Sequence, residues 1–337
     1  MMKFKIILLH LYFVAISISV AQAQILPTFG NSRTGGSGMQ FLKIAPDARS
    51  AAMSGAVVGL VNDASAMYWN PAGITSIDTG KITAQFSHTR WFGNSQVNYG
   101  AMAFKAGKLS YVGVNVMSLG FGDNKETTEF EPTGTGRNVL MGSTSIGVTF
   151  AKILTNNFSF GLQAKFAQEV IANVSVNNVL FDLGLTYNIG LKNARFGVTF
   201  TNFGLNVAPT GDVTILKMNN ESAKNDFTPV SAPAIFRLGF AIDPINDGTN
   251  ILTAAAQLNH PTDNNETLAA ALEYSWKKIL FARTGWEFGL DEDNNFPTVG
   301  FGVKLPRSFG NFGIDYGLVS KSRIGNIHRI GLLFTIK

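Results

Sequence analysis

Apolar residues alternate with small or polar residues along most of the chain, from residue 81 to the C-terminus. Between residues 158 and 167, for example, Phe160, Leu162 and Phe166 alternate with residues such as Gly161 and Gln163. Successive side chains of a β-strand point to opposite faces, so a segment of this kind has one apolar and one polar face. Segments of about ten residues with this alternation, separated by turn residues, are typical of transmembrane β-barrels.

The alternation divides this region into predicted strands. They lie at 81–91, 96–105, 109–119, 143–153, 157–171, 179–188, 194–204, 234–242, 251–259, 267–276, 279–288, 298–305, 312–319 and 328–336. Their even number is usual for single-chain bacterial barrels, because it brings both chain ends to the periplasmic side. We therefore expect an all-β fold, a 14-stranded antiparallel transmembrane β-barrel.

The predicted connections between strands alternate in length. Short turns are expected at 106–108, 155–156, 190–193, 243–250, 277–278 and 306–311, and loops at 92–95, 120–142, 172–178, 205–233, 259–266, 289–297 and 320–327. Outer-membrane barrels have short periplasmic turns and longer extracellular loops. A soluble barrel or sandwich is the alternative, but it would be reluctant to expose so many Phe, Val and Leu side chains.

The N-terminus predicts export. Lys3 and Lys5 precede an apolar run from residue 6 to residue 20, and Ala21-Gln22-Ala23 supplies the small residues of a signal-peptidase site. The run is shorter than the roughly 20 residues that a membrane-spanning helix needs. We expect residues 1–23 to be a cleaved signal peptide and the mature protein to reside in the outer membrane.

A segment rich in Ala, Ser and Gly lies between this leader and the first strand. Its pattern predicts two short helices, at 47–53 and 63–69, the second ended by Asn70 and Pro71. Small side chains allow close packing, and the lumen of a barrel this wide would otherwise remain open. We therefore predict that residues 24–79 form a plug inside a barrel of residues 80–337.

Two stretches of the plug carry a family resemblance. Residues 41–53 (FLKIAPDARSAAM) and 62–73 (NDASAMYWNPAG) resemble the N-terminal signature of the PorV/PorQ family of outer-membrane proteins. That family belongs to a wider group of barrels similar to the long-chain fatty-acid transporter FadL, in which an Asn-Pro-Ala motif sits in the hatch. The resemblance identifies Asp47, Arg49, Asn70, Pro71 and Ala72 as the plug motif.

The resemblance implies two kinds of function. PorV-type barrels associate with the type IX secretion translocon, which predicts protein partners at the outer loops and the lateral surface. FadL-type barrels pass hydrophobic molecules, which predicts a small-molecule ligand. We take the secretion role as the leading hypothesis and the conduit as the alternative, and a purely structural barrel is a third possibility. In each case the wall contacts outer-membrane lipids.

Two groups of candidate residues have structural as well as functional interpretations. Asn70 and Pro71 can gate the lumen, or they can simply end a helix and form an Asx turn. In the loop 205–233, the apolar residues Val213, Ile215 and Leu216 can form an exposed edge that docks a partner chain. The same residues can instead form a hairpin that folds over the barrel mouth.

The lumen face of the predicted strands carries charges of both signs. These residues are Lys165, Asp182, Arg237, Glu273, Arg283, Glu287, Lys304, Asp315 and Arg329. Buried charges need partners, so we favour a salt-bridge network that ties plug to wall. A path for ions is the alternative, but mixed signs give no polarity for selecting one ion class.

Composition narrows the remaining classes of function. The chain has no cysteine, so disulfides and thiolate metal sites are excluded, and its net charge of +5 includes two lysines of the predicted leader. That balance gives no argument for nucleic-acid binding. No nucleophile elbow, zinc-protease motif or phosphate-binding glycine loop occurs, and only His88, His260 and His328 follow the leader. We expect no enzymatic activity, no cofactor and no metal.

Overall fold

The computed structural model describes residues 36–77, 82–122, 124–217, 220–224, 226–289, 296–322 and 325–336, with backbone alone for 214–217 and 220–224. The predicted signal peptide lies outside these residues. The strands are β1 (Ile82–Arg90), β2 (Ser95–Lys105), β3 (Ser110–Phe121), β4 (Met141–Ile153), β5 (Phe158–Ile171), β6 (Val174–Asn188), β7 (Arg195–Gly204), β8 (Thr210–Gly211), β9 (Val213–Lys217), β10 (Asn220–Lys224), β11 (Ile235–Asn246), β12 (Asn250–Pro261), β13 (Thr267–Trp276), β14 (Leu280–Phe288), β15 (Thr298–Arg307), β16 (Gly310–Lys321) and β17 (Gly325–Ile336).

Strands β1–β7 and β11–β17 form one closed antiparallel barrel, which confirms the predicted fold class. Each strand pairs with its neighbour in the chain, and β1 pairs with β17, so the sheet has no free edge within the barrel wall. Closure pairs each barrel strand with a neighbour on both sides, so the wall needs no water along a strand edge, as lipid requires. Strand β8 adds to the end of β6, and β9 with β10 forms a separate hairpin.

The connections define two ends of the barrel. The turn end carries the short turns after β2, β4, β6, β11, β13 and β15, and the loop end carries the other connections. The longest loop-end connections are 122–140, between β3 and β4, and 205–234, between β7 and β11. The alternation of short and long connections predicted from the sequence is therefore present, with the exceptions described next.

Several predicted loop boundaries are wrong because polar residues continue the strands. The predicted loop 172–178 is a two-residue turn, and β6 begins at Val174, opposite Ile171. There Gln168 and Asn177 hydrogen-bond across the outer face, at 2.8 Å. Likewise, β11 runs to Asn246 through an irregularity after Ile242, so the predicted turn 243–250 shrinks to 247–249. The connections predicted at 306–311 and 320–327 are also shorter, because β15, β16 and β17 extend into them.

The wall separates apolar from polar side chains as the alternation predicts. Phe86, Val148 and Phe301 are 51%, 56% and 64% exposed on the outer face, where an outer-membrane barrel contacts lipid. The phase of β2 was ambiguous in the sequence. Met102 faces outward on this strand, while Tyr99 is fully buried in the lumen.

Residues 36–77 occupy the lumen. This plug contains two α-helices, Ala48–Ala52 and Ala66–Trp69, and two 3-10 helices, Gln40–Lys43 and Pro71–Ser76. Both α-helices are shorter than predicted, because Asp47 caps the first from outside and the second begins only after Ser65. The buried side chains of Met53, Val57, Val58, Met67 and Ile74 form the centre of the plug.

Within the described ranges, no helix combines the length and the apolar character needed to span a membrane.

The alternation of short and long connections predicts the orientation of the barrel. An epitope inserted within residues 128–136 of the long loop should be bound by antibody on intact cells, because long barrel loops are extracellular. An epitope inserted at Lys277, in a short turn, should be bound only after the outer membrane is permeabilised. Antibody binding in the opposite order would contradict this orientation.

Candidate functional site

The plug rests directly on glycines of the wall. At seven lumen-facing glycines an added Cβ would lie closer than 3.0 Å to the backbone or to a short side chain of the plug, a separation that real Cβ atoms essentially never show. At an eighth, Gly113, the close contact would be with the flexible side chain of Met67. The first seven are distributed over seven strands, and we call them the glycine belt: Gly161, Gly184, Gly197, Gly239, Gly285, Gly300 and Gly317. Lack of a side chain lets the two backbones approach closely. The fit between plug and wall therefore depends on these positions.

The Asn-Pro-Ala motif sits at the centre of this contact. The Asn70 side-chain amide donates to the carbonyl oxygens of Val58 in the plug, at 2.9 Å, and of Leu185 in the wall, at 3.0 Å. Its Oδ1 accepts from the backbone N–H of Ala72, at 3.1 Å, and Pro71 begins the following 3-10 helix. Asn70 therefore stops one helix, starts the next and joins both to β6.

Asp47 organises the plug from within. Its fully buried carboxylate caps the first helix by accepting from the Ser50 backbone N–H, at 2.8 Å, and accepts from the Trp69 indole N–H, at 3.0 Å. These bonds join the two helices. Burial raises the pKa of the Asp47 carboxyl above its ordinary value, and the nearby charge of Asp63 raises it further.

Arg49 ties the plug to the wall. Its guanidinium donates to both carboxylate oxygens of Glu273 on β13, at 2.8 and 2.9 Å. Glu273 also accepts from Arg283 on β14, at 2.6 Å, and Arg283 pairs with Asp315 on β16. Bidentate arginine–carboxylate pairs are among the strongest and most directional hydrogen-bonded contacts in proteins. One plug cation thus joins a charge network whose wall members lie on three barrel strands, β13, β14 and β16.

Other wall side chains satisfy the plug backbone. Gln257 accepts from the consecutive N–H groups of Val57 and Val58, at 3.1 and 2.9 Å, and Thr298 donates to the Ala52 carbonyl oxygen, at 2.8 Å. Buried backbone groups are costly when unpaired, so these contacts are needed for an irregular segment inside a barrel. The plug is therefore fixed by hydrogen bonds as well as by packing.

A cavity of about 410 Å³ lies between the plug and the loop end. Apolar atoms provide most of its lining surface, and the large apolar side chains among its lining residues are Ile44, Trp69, Trp91, Ile235 and Phe296. Mostly apolar concave sites with a few polar groups are the usual form of small-molecule binding sites.

Two buried arginines are among the polar groups of this cavity, together with Lys43, Glu287 and Lys321. Arg237 stacks on Trp69, and Arg329 stacks on Trp91, each with its guanidinium carbon 5.4 Å from the ring centroid. Arg237 donates to the Thr201 hydroxyl, at 2.8 Å, and Arg329 donates to the carbonyl oxygen of Ala45, at 3.2 Å. Among the described residues, neither forms an ion pair, and the Nη1 of Arg329 has no hydrogen-bond partner. The cavity therefore holds two buried guanidiniums without an ion pair, while the carboxylate of Glu287, which also lines it, accepts from the Thr267 hydroxyl.

A second cavity, of about 260 Å³, lies between the plug and the turn end. Arg49, Asp63, Glu273 and Asp315 line it, so its character is polar and ionic. The two cavities contact opposite sides of the plug. A solute that crosses the barrel through its lumen would therefore pass from an apolar chamber, through the plug, into a polar one.

The predicted site residues fall into two separate places. All five residues of the plug motif lie in the lumen, whereas Val213, Ile215 and Leu216 lie on the hairpin strand β9 at the loop end. Val213 is 40% exposed, and the side chains of the other two lie outside the described residues. Sequence reasoning missed the glycine belt, although its members fall at lumen-phase positions. It also missed the pairing of Arg237 and Arg329 with tryptophans.

No protein-family model and no curated relative matches the chain. In structure it is similar to the toluene transporter TbuX of Ralstonia pickettii, with a TM-score of 0.57 and 12% identity over 86% of this chain and 96% of that chain. It is also similar to the monoaromatic hydrocarbon channel CymD, with a TM-score of 0.54 and 13% identity over 86% and 96% of the two chains.

A FadL homologue of Pseudomonas aeruginosa aligns with a TM-score of 0.50 and 11% identity over 86% of this chain and 96% of that chain. At these identities the likeness concerns the fold, which is that of FadL-type barrels. The more specific resemblance of residues 41–73 to the PorV/PorQ signature is not tested by these comparisons and stays a prediction.

The glycine belt predicts that one added methyl group loosens the plug. In Gly184→Ala the new Cβ would overlap Asn70 and Pro71. Overpacking of this kind costs about 1–3 kcal/mol. We expect higher ion conductance in planar bilayers, from a barrel that still shows the heat-dependent gel shift of a folded protein.

Gly100→Ala is the matched control, because its Cβ would meet the nearest side chain, Val116, at an ordinary 3.5 Å on the outer face. Equal conductance of the two variants would show that the plug does not depend on the belt.

Proposed function

We propose that this chain is a non-enzymatic conduit for hydrophobic small molecules across the outer membrane. The observation that carries the proposal is the apolar cavity of about 410 Å³ that lies directly above the plug. A ligand in this cavity would contact Trp69 of the plug and Trp91 at the loop-end rim. The shared fold with proteins described as a toluene transporter and a monoaromatic hydrocarbon channel supports the same class of solute.

The two arginines refine the solute class. A buried guanidinium without an anion is costly, and a ligand that supplies an acceptor would relieve that cost. We therefore propose that the preferred solute has a compact apolar body and one acidic group, with the body on the tryptophans. The acidic group would accept hydrogen bonds from Arg329 and Arg237, since a guanidinium binds a carboxylate in bidentate geometry.

Passage of a solute through the lumen requires the plug to be displaced. The contacts that hold it include hydrogen bonds of Asn70 and Gln257 and the bidentate ion pair of Arg49. The ionic groups of the second cavity lie beyond it. We propose that a bound solute competes for contacts on Trp69 and so favours a displaced plug.

A partner in type IX secretion is the second candidate. It rests on the PorV/PorQ resemblance and on the hairpin β9–β10, which forms its own two-stranded sheet and pairs with no barrel strand. An isolated hairpin has two unpaired edges, which are ready sites for another chain. The conduit is the better supported of the two, because it rests on the cavity as well as on the fold.

A matched pair of solutes tests the proposed conduit. Proteoliposomes containing the protein should take up both toluene and benzoate faster than empty vesicles. In Arg237→Gln/Arg329→Gln, benzoate uptake should fall by about tenfold or more, because a hydrogen bond to a charged group contributes about 1.5–3 kcal/mol. Toluene uptake should change little.

Arg90→Gln is the control, because Arg90 is exposed on β1 and does not line the cavity. If neither solute enters faster than in empty vesicles, the conduit is wrong. If both enter but the arginine variant leaves benzoate uptake unchanged, only the preference for an acidic group is wrong.

A deletion separates the conduit from the secretion partner. Removing residues 206–231 should leave a folded barrel, because all barrel strands remain paired without this loop. The conduit predicts that solute uptake persists in the deletion variant. Loss of a co-purifying secretion translocon and of cargo release, with uptake absent from the intact protein too, would favour the second candidate instead.

A further inference from the structure

Charge is distributed unequally between the two ends of the barrel. The turn-end segments 105–110, 151–158, 188–195, 243–250, 276–280 and 304–311 contain nine basic residues and only two acidic ones, Asp243 and Asp247. Among the described residues, the loop-end segments 90–95, 121–141, 169–175, 203–235, 259–268, 287–298 and 319–328 contain six basic and ten acidic residues. The barrel therefore has a positive turn end and a negative loop end.

Most of the positive charge at the turn end is free to meet a partner. Arg195 pairs with Asp243, and the half-buried Lys304 lines the second cavity. The other basic residues are exposed, including Lys278, which also lies at the edge of that cavity. We call these exposed residues the basic collar: Lys105, Lys108, Lys152, Lys192, Lys277, Lys278 and Arg307. They belong to five of the six turns, which are spaced around the circumference of the barrel.

Each of those five turns also exposes a large apolar side chain beside its cation. These side chains are Leu109 (49% exposed), Leu154 (53%), Leu191 (74%), Leu280 (44%) and Phe309 (72%). The sixth turn, at 247–249, has the acidic Asp247 and no basic residue. In the turn after β13, the Lys277 ammonium lies 4.7 Å from the ring centroid of Trp276, whose side chain is exposed on the lipid-facing wall.

An apolar side chain beside a cation is the arrangement that binds a membrane interface, with the apolar group among acyl chains and the cation at the head groups. Tryptophan and tyrosine mark the same depth in membrane proteins. We infer that the turn end of this barrel binds anionic phospholipid head groups through the basic collar.

The distribution favours lipid over a protein partner. A docked protein would contact one side of the barrel, whereas the combination of cation and apolar residue recurs around its circumference. Lipid surrounds the whole barrel at this depth. The acidic loop end also shows that the collar is not a general property of the surface. This inference goes beyond the proposed function and holds whether or not the barrel conducts solutes.

Tryptophan quenching by brominated lipids tests the inference. In Trp286→Phe protein, Trp276 is the one tryptophan exposed on the described outer wall. The protein is reconstituted in phosphatidylcholine vesicles containing brominated phosphatidylglycerol or brominated phosphatidylcholine. Each cation near the head groups should favour the anionic lipid by about fivefold at low salt. High salt should weaken this preference, because it screens exposed charges.

The variant Lys277→Gln/Lys278→Gln removes both cations beside the reporter and should reduce the preference to near one. The variant Lys125→Gln/Arg137→Gln removes the same charge from the loop end and should retain the preference. Equal quenching by the two lipids in the Trp286→Phe protein would overturn the inference. So would equal loss of the preference in both charge variants, since that result would reflect net charge alone.

Discussion

The rest of this structure depends on one constraint, the close contact between the backbone of the plug and the backbone of the barrel wall. A lumen wall with ordinary side chains would hold the plug away from the strands by the thickness of those side chains. The glycine belt removes that layer on seven strands. On the plug side, the contacts are made by small residues such as Ala48, Ala52 and Ala72. At this distance a side-chain amide such as that of Asn70 can reach a wall carbonyl directly.

Close approach of plug and wall carries an electrostatic cost, because polar groups are buried between them. Backbone groups and charges that meet inside the barrel lose contact with water, so each needs a partner. Gln257, Thr298 and Glu273 provide such partners from the wall. Arg237 and Arg329 differ, because their own contacts are aromatic rings and neutral acceptors and neither forms an ion pair among the described residues. The site proposed for solute is thus the place where the wall leaves two guanidiniums without a paired carboxylate.

The barrel could be predicted from the sequence because lipid imposes a simple rule on every strand. The face of Phe86 or Val148 is fixed by alternation, and register follows from pairing with the next strand. Strand ends were less predictable. The polar residues Gln168 and Asn177 pair within the β5–β6 hairpin, although the composition around Asn177 is typical of a loop. The helices of the plug were predicted from local signals, such as Pro46 before the first helix and Asn70-Pro71 at the end of the second.

The site was less predictable, because its members meet only in three dimensions. Gly184 and Asn70 are far apart in the chain, and nothing local distinguishes a glycine under the plug from a glycine that merely fills the lumen. The same holds for Arg329, whose environment is built by Ala45 and Trp91. The alternation of residues predicted that Arg329 faces the lumen. That its guanidinium has no carboxylate partner can be seen only in the folded structure with the plug in place.

Pairing of the first and last barrel strands bears on how the molecule is assembled. The seam between β1 and β17 joins the two chain ends of the barrel, so the cylinder cannot close until the whole polypeptide has been delivered. The plug immediately precedes β1 and is therefore delivered before the wall is complete. A closed cylinder that fits its contents this tightly would have little room to admit them afterwards. Enclosure of the plug and zipping of the seam are then steps of one biogenesis event, and a plug that fits poorly would be expected to delay closure.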